Sequence, residues 1–157
     1  MGRVLGLDFG TVRIGAALSD AGRRVAAPFE IFTRGDQARE DRYFVNLVKT
    51  QGVDRIVVGL PVRGSGSEGS MARLSRAWGE RLAQLTGIEV LFVDERYTSV
   101  EAEYTLIDAG VKRARRKRFR DRVAAQILLQ NYLDAGCPDV EEKFKGLDDR
   151  AGRESSD

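Results

Sequence analysis

Two acidic positions define the chemistry open to this chain. Asp8 ends the apolar run Leu5-Gly6-Leu7 and precedes Phe9-Gly10-Thr11, and the pair Asp94-Glu95 closes a second apolar run, Ile88 to Val93, more than eighty residues later. The chain holds no histidine and one cysteine, Cys137, which excludes imidazole bases, His-Cys zinc sites and the usual nucleophile-histidine triads. Catalysis must therefore run on carboxylates, hydroxyls, amines or a bound metal. A carboxylate at the end of an apolar strand is costly to bury alone, and a cation or a hydrogen-bonded turn would offset the cost. Both readings of Asp8 are open at this point.

Asp121 is a third candidate. It shares a helical face with Ala124, Ala125 and Leu128, so it projects from the packed side of its helix. In the first turn of that helix, the macrodipole alone would also favour it. Three carboxylates from two strand ends and one helix suit Mg²⁺ or Mn²⁺, which take oxygen ligands, and two such ions could serve phosphodiester hydrolysis. Next to Asp121 lies a basic run of eight residues: Lys112, Arg113, Arg115, Arg116, Lys117, Arg118, Arg120 and Arg122. A polyanion is its natural partner, and a solvated basic loop is the plainer alternative.

The elements that must position these residues follow from periodicity. Residues 3–8, 12–19 and 25–32 read as three antiparallel strands, with a turn at 20–23 and Pro28 marking an edge or a break. Helices are expected over 37–51 and 70–85, ended by Gly52 and Gly87, with buried strands at 54–59 and 88–93. A capping box at Thr98 to Glu101 opens a helix that Gly110 closes, and a last helix spans about 120–135. The glycine- and serine-rich stretch from Gly59 to Ser70 lacks a P-loop pattern and reads as a phosphate-accepting or plain surface loop. One α/β domain over 1–138 and a polar tail over 139–157 are the expectation.

Charge is uneven. The tail carries seven acidic against four basic residues, so a chain of net charge +2 has a body of +5. A single cysteine allows no internal disulfide, no run approaches the roughly 18 apolar residues that span a bilayer, and the N-terminus lacks signal-peptide regions. A cytoplasmic protein without membrane contact is expected.

Four ordered blocks resemble the YqgF family, which is Holliday-junction-resolvase-like and assigned to pre-16S rRNA cleavage. They are Leu5 to Thr11 with Arg13-Ile14-Gly15 and Ser19-Asp20; Val58 to Pro61 with Gly66 to Gly69; Asp94-Glu95-Arg96 with Thr98 and Val100 to Glu103; and Asp121 with Ala124-Ala125 and Leu128 through Leu133-Asp134. The resemblance runs from Val4 to Asp134. It implies a ribonuclease-H-like fold, a five-stranded mixed sheet with helices on both faces, and a divalent-metal nuclease whose acidic positions are Asp8, Glu95 and Asp121. Glu95 is preferred over Asp94 on this resemblance alone. Arg63-Gly64-Ser65-Gly66 departs from the Asn-Met-Asp-Gly usual in that loop of the family.

The leading reading is a nuclease for structured nucleic acid, with precursor ribosomal RNA ahead of a branched DNA junction. A resolvase would be expected to dimerise, and no helical face here reveals a dimer surface. The competitors are a nucleotide-binding fragment of the actin and hexokinase type, suggested by Asp8 to Thr11, and a regulator that binds nucleic acid without cutting it.

Overall fold

The computed structural model describes residues 2–61, 69–94 and 113–139, with side chains in the last segment from Val123 onward. Three strands open the chain, β1 (Arg3–Asp8), β2 (Arg13–Ser19) and β3 (Ala26–Thr33). Helix α1 (Gln37–Thr50), strand β4 (Val53–Leu60), helix α2 (Ser70–Thr86), strand β5 (Glu89–Asp94) and helix α3 (Arg113–Asp134) follow. The expected helix from Thr98 to Gly110, the middle of the Gly59–Ser70 loop and the tail beyond 139 lie outside the described residues.

The strands form one mixed sheet in the order β3-β2-β1-β4-β5. β1 to β3 pair antiparallel, and β4 and β5 run parallel to β1. β3 is an edge, as Pro28 requires, and the β2–β3 register shifts between Ala16 and Ala17, so Phe29 is bulged out opposite them. At the β2–β3 turn the left-handed residue is Arg23 rather than Gly22. Its strained backbone is offset locally: Arg23 Nε donates to the Gly2 carbonyl and the guanidinium pairs with Asp54. Asp20 Oδ1 accepts from the amides of Arg24 and Val25, which holds its carboxyl below the usual range.

Alternation along β1 separates two cores. Leu5 and Leu7 pack with Ile56, Val58, Phe92, Phe44 and Trp78 on the α1–α2 face. Val4 packs with Val57, Val93, Ala125, Leu129 and Tyr132 on the α3 face. Central strands buried on both sides explain why β1 and β4 read as continuous apolar runs. Gly52 and Gly87, both left-handed, end α1 and α2 as expected.

One expectation needs correction. The last helix begins at Arg113, not near Arg120, so most of the basic run is helical rather than a loop. Arginine, lysine and alanine are strong helix formers, and the eight charges obscured that propensity by resembling a solvated connection. Asp121 thus sits two turns inside α3, beyond the first turn where the macrodipole favours a carboxylate.

Gly6 marks where α3 meets the sheet. A Cβ there would stand 2.8 Å from Leu129 Cβ and 3.5 Å from the Ala125 carbonyl oxygen. Gly6→Ala should force α3 off the sheet and cost about 1–3 kcal/mol by overpacking, read as a lower urea midpoint at an unchanged m-value.

Candidate active site

Asp8 is the last residue of β1, at the C-terminal edge of the parallel strands. Its antiparallel partner is Gly15, and on the other side Leu7 pairs with Val58, which places Gly59 beside Asp8. Neither flank carries a side chain, and the carboxylate stands half-buried in a depression of about 260 Å³ lined by residues 8–13 and Gly15. Alternation assigns Asp8, with Val4 and Gly6, to the α3 face.

Asp94 takes the other face. Val90 and Phe92 belong to the α1–α2 core, whereas Leu91 and Val93 belong to the α3 core, so the period of two puts Asp94 with Phe92. Asp94 and Asp8 therefore project from opposite faces of the sheet. Glu95 itself lies outside the described residues, as does Lys112.

Helix α3 runs back along β1. Its C-terminal end is tied to the start of the sheet, where Arg55 donates to the Tyr132 hydroxyl (3.2 Å) and the Cys137 carbonyl (3.3 Å), and Arg55 is the register partner of Val4. One helical turn earlier, Leu129 and Ala125 cover Gly6. Two strand residues from Gly6 to Asp8 advance about 6.6 Å, and four helical residues from 125 to 121 advance about 6 Å. The α3 backbone at position 121 is thereby carried toward the Asp8 end of β1. The side chains of Asp121 and of Arg113, Arg115, Arg116, Lys117, Arg118 and Arg120 are not among those described, but the helix that bears them ascends over this edge.

The turn after Asp8 is fixed from the opposite face. A Cβ on Gly10 would lie 2.5 Å from the Arg13 carbonyl oxygen, so the turn closes only with glycine there. Phe9 turns into the α1–α2 core, where its ring lies 5.1 Å from Trp78 and the Arg34 guanidinium stacks over it at 4.8 Å. Arg34 also donates from its amide to the Val12 carbonyl (2.8 Å) and from Nη1 to the Gly10 carbonyl (3.3 Å). Its Nε and Nη2 reach Glu40 at 2.7 and 3.3 Å.

Glu40 is only 3% exposed and also accepts from the Trp78 indole N–H (3.1 Å) and Gln37 Nε2 (3.3 Å). Periodicity alone did not single out this group. Its signal was spacing, because Glu40 falls on the apolar stripe of Phe44, Leu47 and Val48 in α1. Breaking such a pair from one side strands a buried charge. Arg34→Met should therefore cost about 3–5 kcal/mol in denaturant unfolding, and Arg34→Met with Glu40→Gln should recover most of it.

A model of the family described as "RuvX: Holliday junction resolvase" matches residues 2–135. A protein of Lactococcus lactis subsp. cremoris, named "Putative pre-16S rRNA nuclease", is 44% identical over 136 residues, covering 85% of this chain and 94% of its own length. One of the same name from Endomicrobium trichonymphae is 40% identical over 135 residues, covering 85% and 96%. Among solved structures, Thermus thermophilus RuvC in complex with a Holliday junction substrate superposes with a TM-score of 0.55 at 15% identity, covering 90% of this chain and 99% of that one. That likeness bears on fold alone, and it agrees with the expected ribonuclease-H-like sheet. Matched along nearly all of its described length, and 40% or more identical to relatives covered almost end to end, the chain belongs to the RuvX (YqgF) family.

Proposed function

We propose that the protein is a divalent-metal-dependent endonuclease for structured nucleic acid, and that its substrate is the 5′ end of pre-16S rRNA in ribosome biogenesis. The observation that carries this reading is the convergence of Asp8 with the first half of α3 at one edge of the sheet. The names of the relatives support cleavage of ribosomal RNA precursors. The family description favours a second reading, resolution of branched DNA.

Asp8, Glu95 and Asp121 are the proposed acidic set. Asp94 takes the α1–α2 face, opposite Asp8, the stripe that buries Ala125 and Leu128 includes position 121, and Glu95 enters the set on the family resemblance. The Asp8 depression is lined by one carboxylate and the Thr11 hydroxyl, beside the cationic Arg13 and without thiol or imidazole, an oxygen donor set of the kind Mg²⁺ or Mn²⁺ takes once further carboxylates complete it. Bound there, such an ion would supply Lewis acidity and an activated water.

The protein's own contribution is placement. The basic residues Arg113 to Arg120, with Lys112 before them, hold the phosphate backbone over the sheet edge, while the glycines flanking Asp8 leave room for a phosphate to approach. No acidic residue occupies the first turn of α3, so the positive end of the helix and its arginines favour an anion. Such a partner relieves an otherwise unfavourable arrangement. The regulator reading shares this surface and differs only in turnover.

Labelled pre-16S rRNA, a four-way junction and plain duplex, incubated with Mg²⁺, Mn²⁺ or EDTA, test the proposal. Cutting should need metal, and Asp8→Asn should lower it about a hundredfold or more, roughly 3 kcal/mol of barrier, without loss of folding or binding. Glu95→Gln should match that loss, whereas Asp94→Asn should stay near wild type. Metal-independent cutting would sink the metal-dependent mechanism, and binding without cutting in every condition would sink the enzyme reading. Replacing Arg115, Arg116 and Arg118 with Gln should weaken all substrates alike and flatten the salt dependence of binding by about one unit of slope for each phosphate no longer held.

A further inference from the structure

The Arg34–Glu40 pair has more structure than fold stability requires. A buried ion pair is weak evidence for stabilisation, because well-packed apolar residues often serve as well. Here the contacts are aimed at one target. The Arg34 side chain touches the ring of Phe9 and the carbonyl of Gly10, its amide donates to the carbonyl of Val12, and these three residues line the depression that holds Asp8. Glu40 in turn fixes the guanidinium plane through two oxygens, and Trp78 and Gln37 fix Glu40. The chain of contacts runs from α2 through α1 to the turn after Asp8.

We infer that Arg34 is a positioning residue for the Asp8 site, holding the Phe9–Val12 turn in place while Glu40 holds Arg34. A direct role on substrate phosphate fits the geometry less well. The Arg34 side chain is 21% exposed, its charge is already opposed by Glu40, and its contacts with Phe9, Gly10 and Glu40 point inward. Loss of the pair should loosen the main chain beside Asp8 without changing the surface that holds nucleic acid. Small misplacements of reacting groups are costly, about a hundredfold for roughly 1 Å, so the loss should appear in turnover rather than in substrate affinity.

The activity arm of the test rests on the nuclease reading above, and a second arm does not. Arg34→Met with Glu40→Gln removes both charges and keeps an acceptor for Trp78. Arg34→Lys keeps the charge but loses the fork. Each is compared with wild type for denaturant midpoint, for kcat and KM on the best-cut substrate, and for amide hydrogen exchange in peptides spanning residues 8–13.

The double variant should unfold near the wild-type midpoint, lose about tenfold or more in kcat with KM within about threefold, and exchange about tenfold faster over 9–13. Arg34→Lys should fall between the two. An unchanged kcat in the folded double variant overturns the inference, as does a raised KM with kcat intact, which would make Arg34 a substrate contact. If the double variant does not fold, Arg34→Lys decides by the same criteria. If the wild type cuts nothing with any metal, the nuclease reading fails by itself, and exchange over 9–13 decides the positioning role alone: faster exchange supports it and unchanged exchange overturns it.

Discussion

The contact between α3 and β1 at Gly6 governs the rest of this structure. Helix and strand approach so closely that no side chain fits between Gly6 and Leu129, and that approach fixes both the height and the line of the helix over the sheet. Because Arg55, at the start of β4 and in register with Val4 of β1, holds the C-terminal end of α3, the preceding turns of the helix rise toward the end of β1. A stretch of sequence bearing many positive charges is thereby suspended over the one acidic residue that closes β1. The charge distribution and the packing are thus two consequences of one constraint.

The sheet's other face serves a different purpose. There Phe9, Trp78 and Phe44 form an aromatic cluster with the Arg34–Glu40 pair at its margin, and the cluster grips the turn that follows Asp8 from beneath. Chain alternation makes this division of labour possible, since Asp8 faces one core and its neighbour Phe9 the other. A rigid element supporting a polar residue at its end is the arrangement expected where geometry must be held to fractions of an ångström.

Much of this was legible in the residues. The apolar runs of β1 and β4, the helix-ending Gly52 and Gly87 and the edge proline each state a local physical requirement, and each is met at its expected position. Three features were not. The start of α3 was hidden because a run of arginine and lysine satisfies helix propensity and solvated-loop composition alike. Glu40 was hidden because a single acid on an apolar stripe resembles a helix-surface charge until the Arg34 and Trp78 partners come into view across the fold. Whether Asp94 shares a face with Asp8 also depended on register, which alternation within one strand cannot supply without knowing which core its neighbours join.

The end of β1 and the first half of α3 form, on this reading, one metal-binding edge. Paramagnetic broadening of backbone amide signals by substoichiometric Mn²⁺ tests that claim most directly. Broadening should centre on residues 8–13 and on α3 around position 121, disappear in Asp8→Asn, and spare the amides of α1. Broadening confined to the acidic tail, or centred near Asp94 on the α1–α2 face and unaffected by Asp8→Asn, would contradict it.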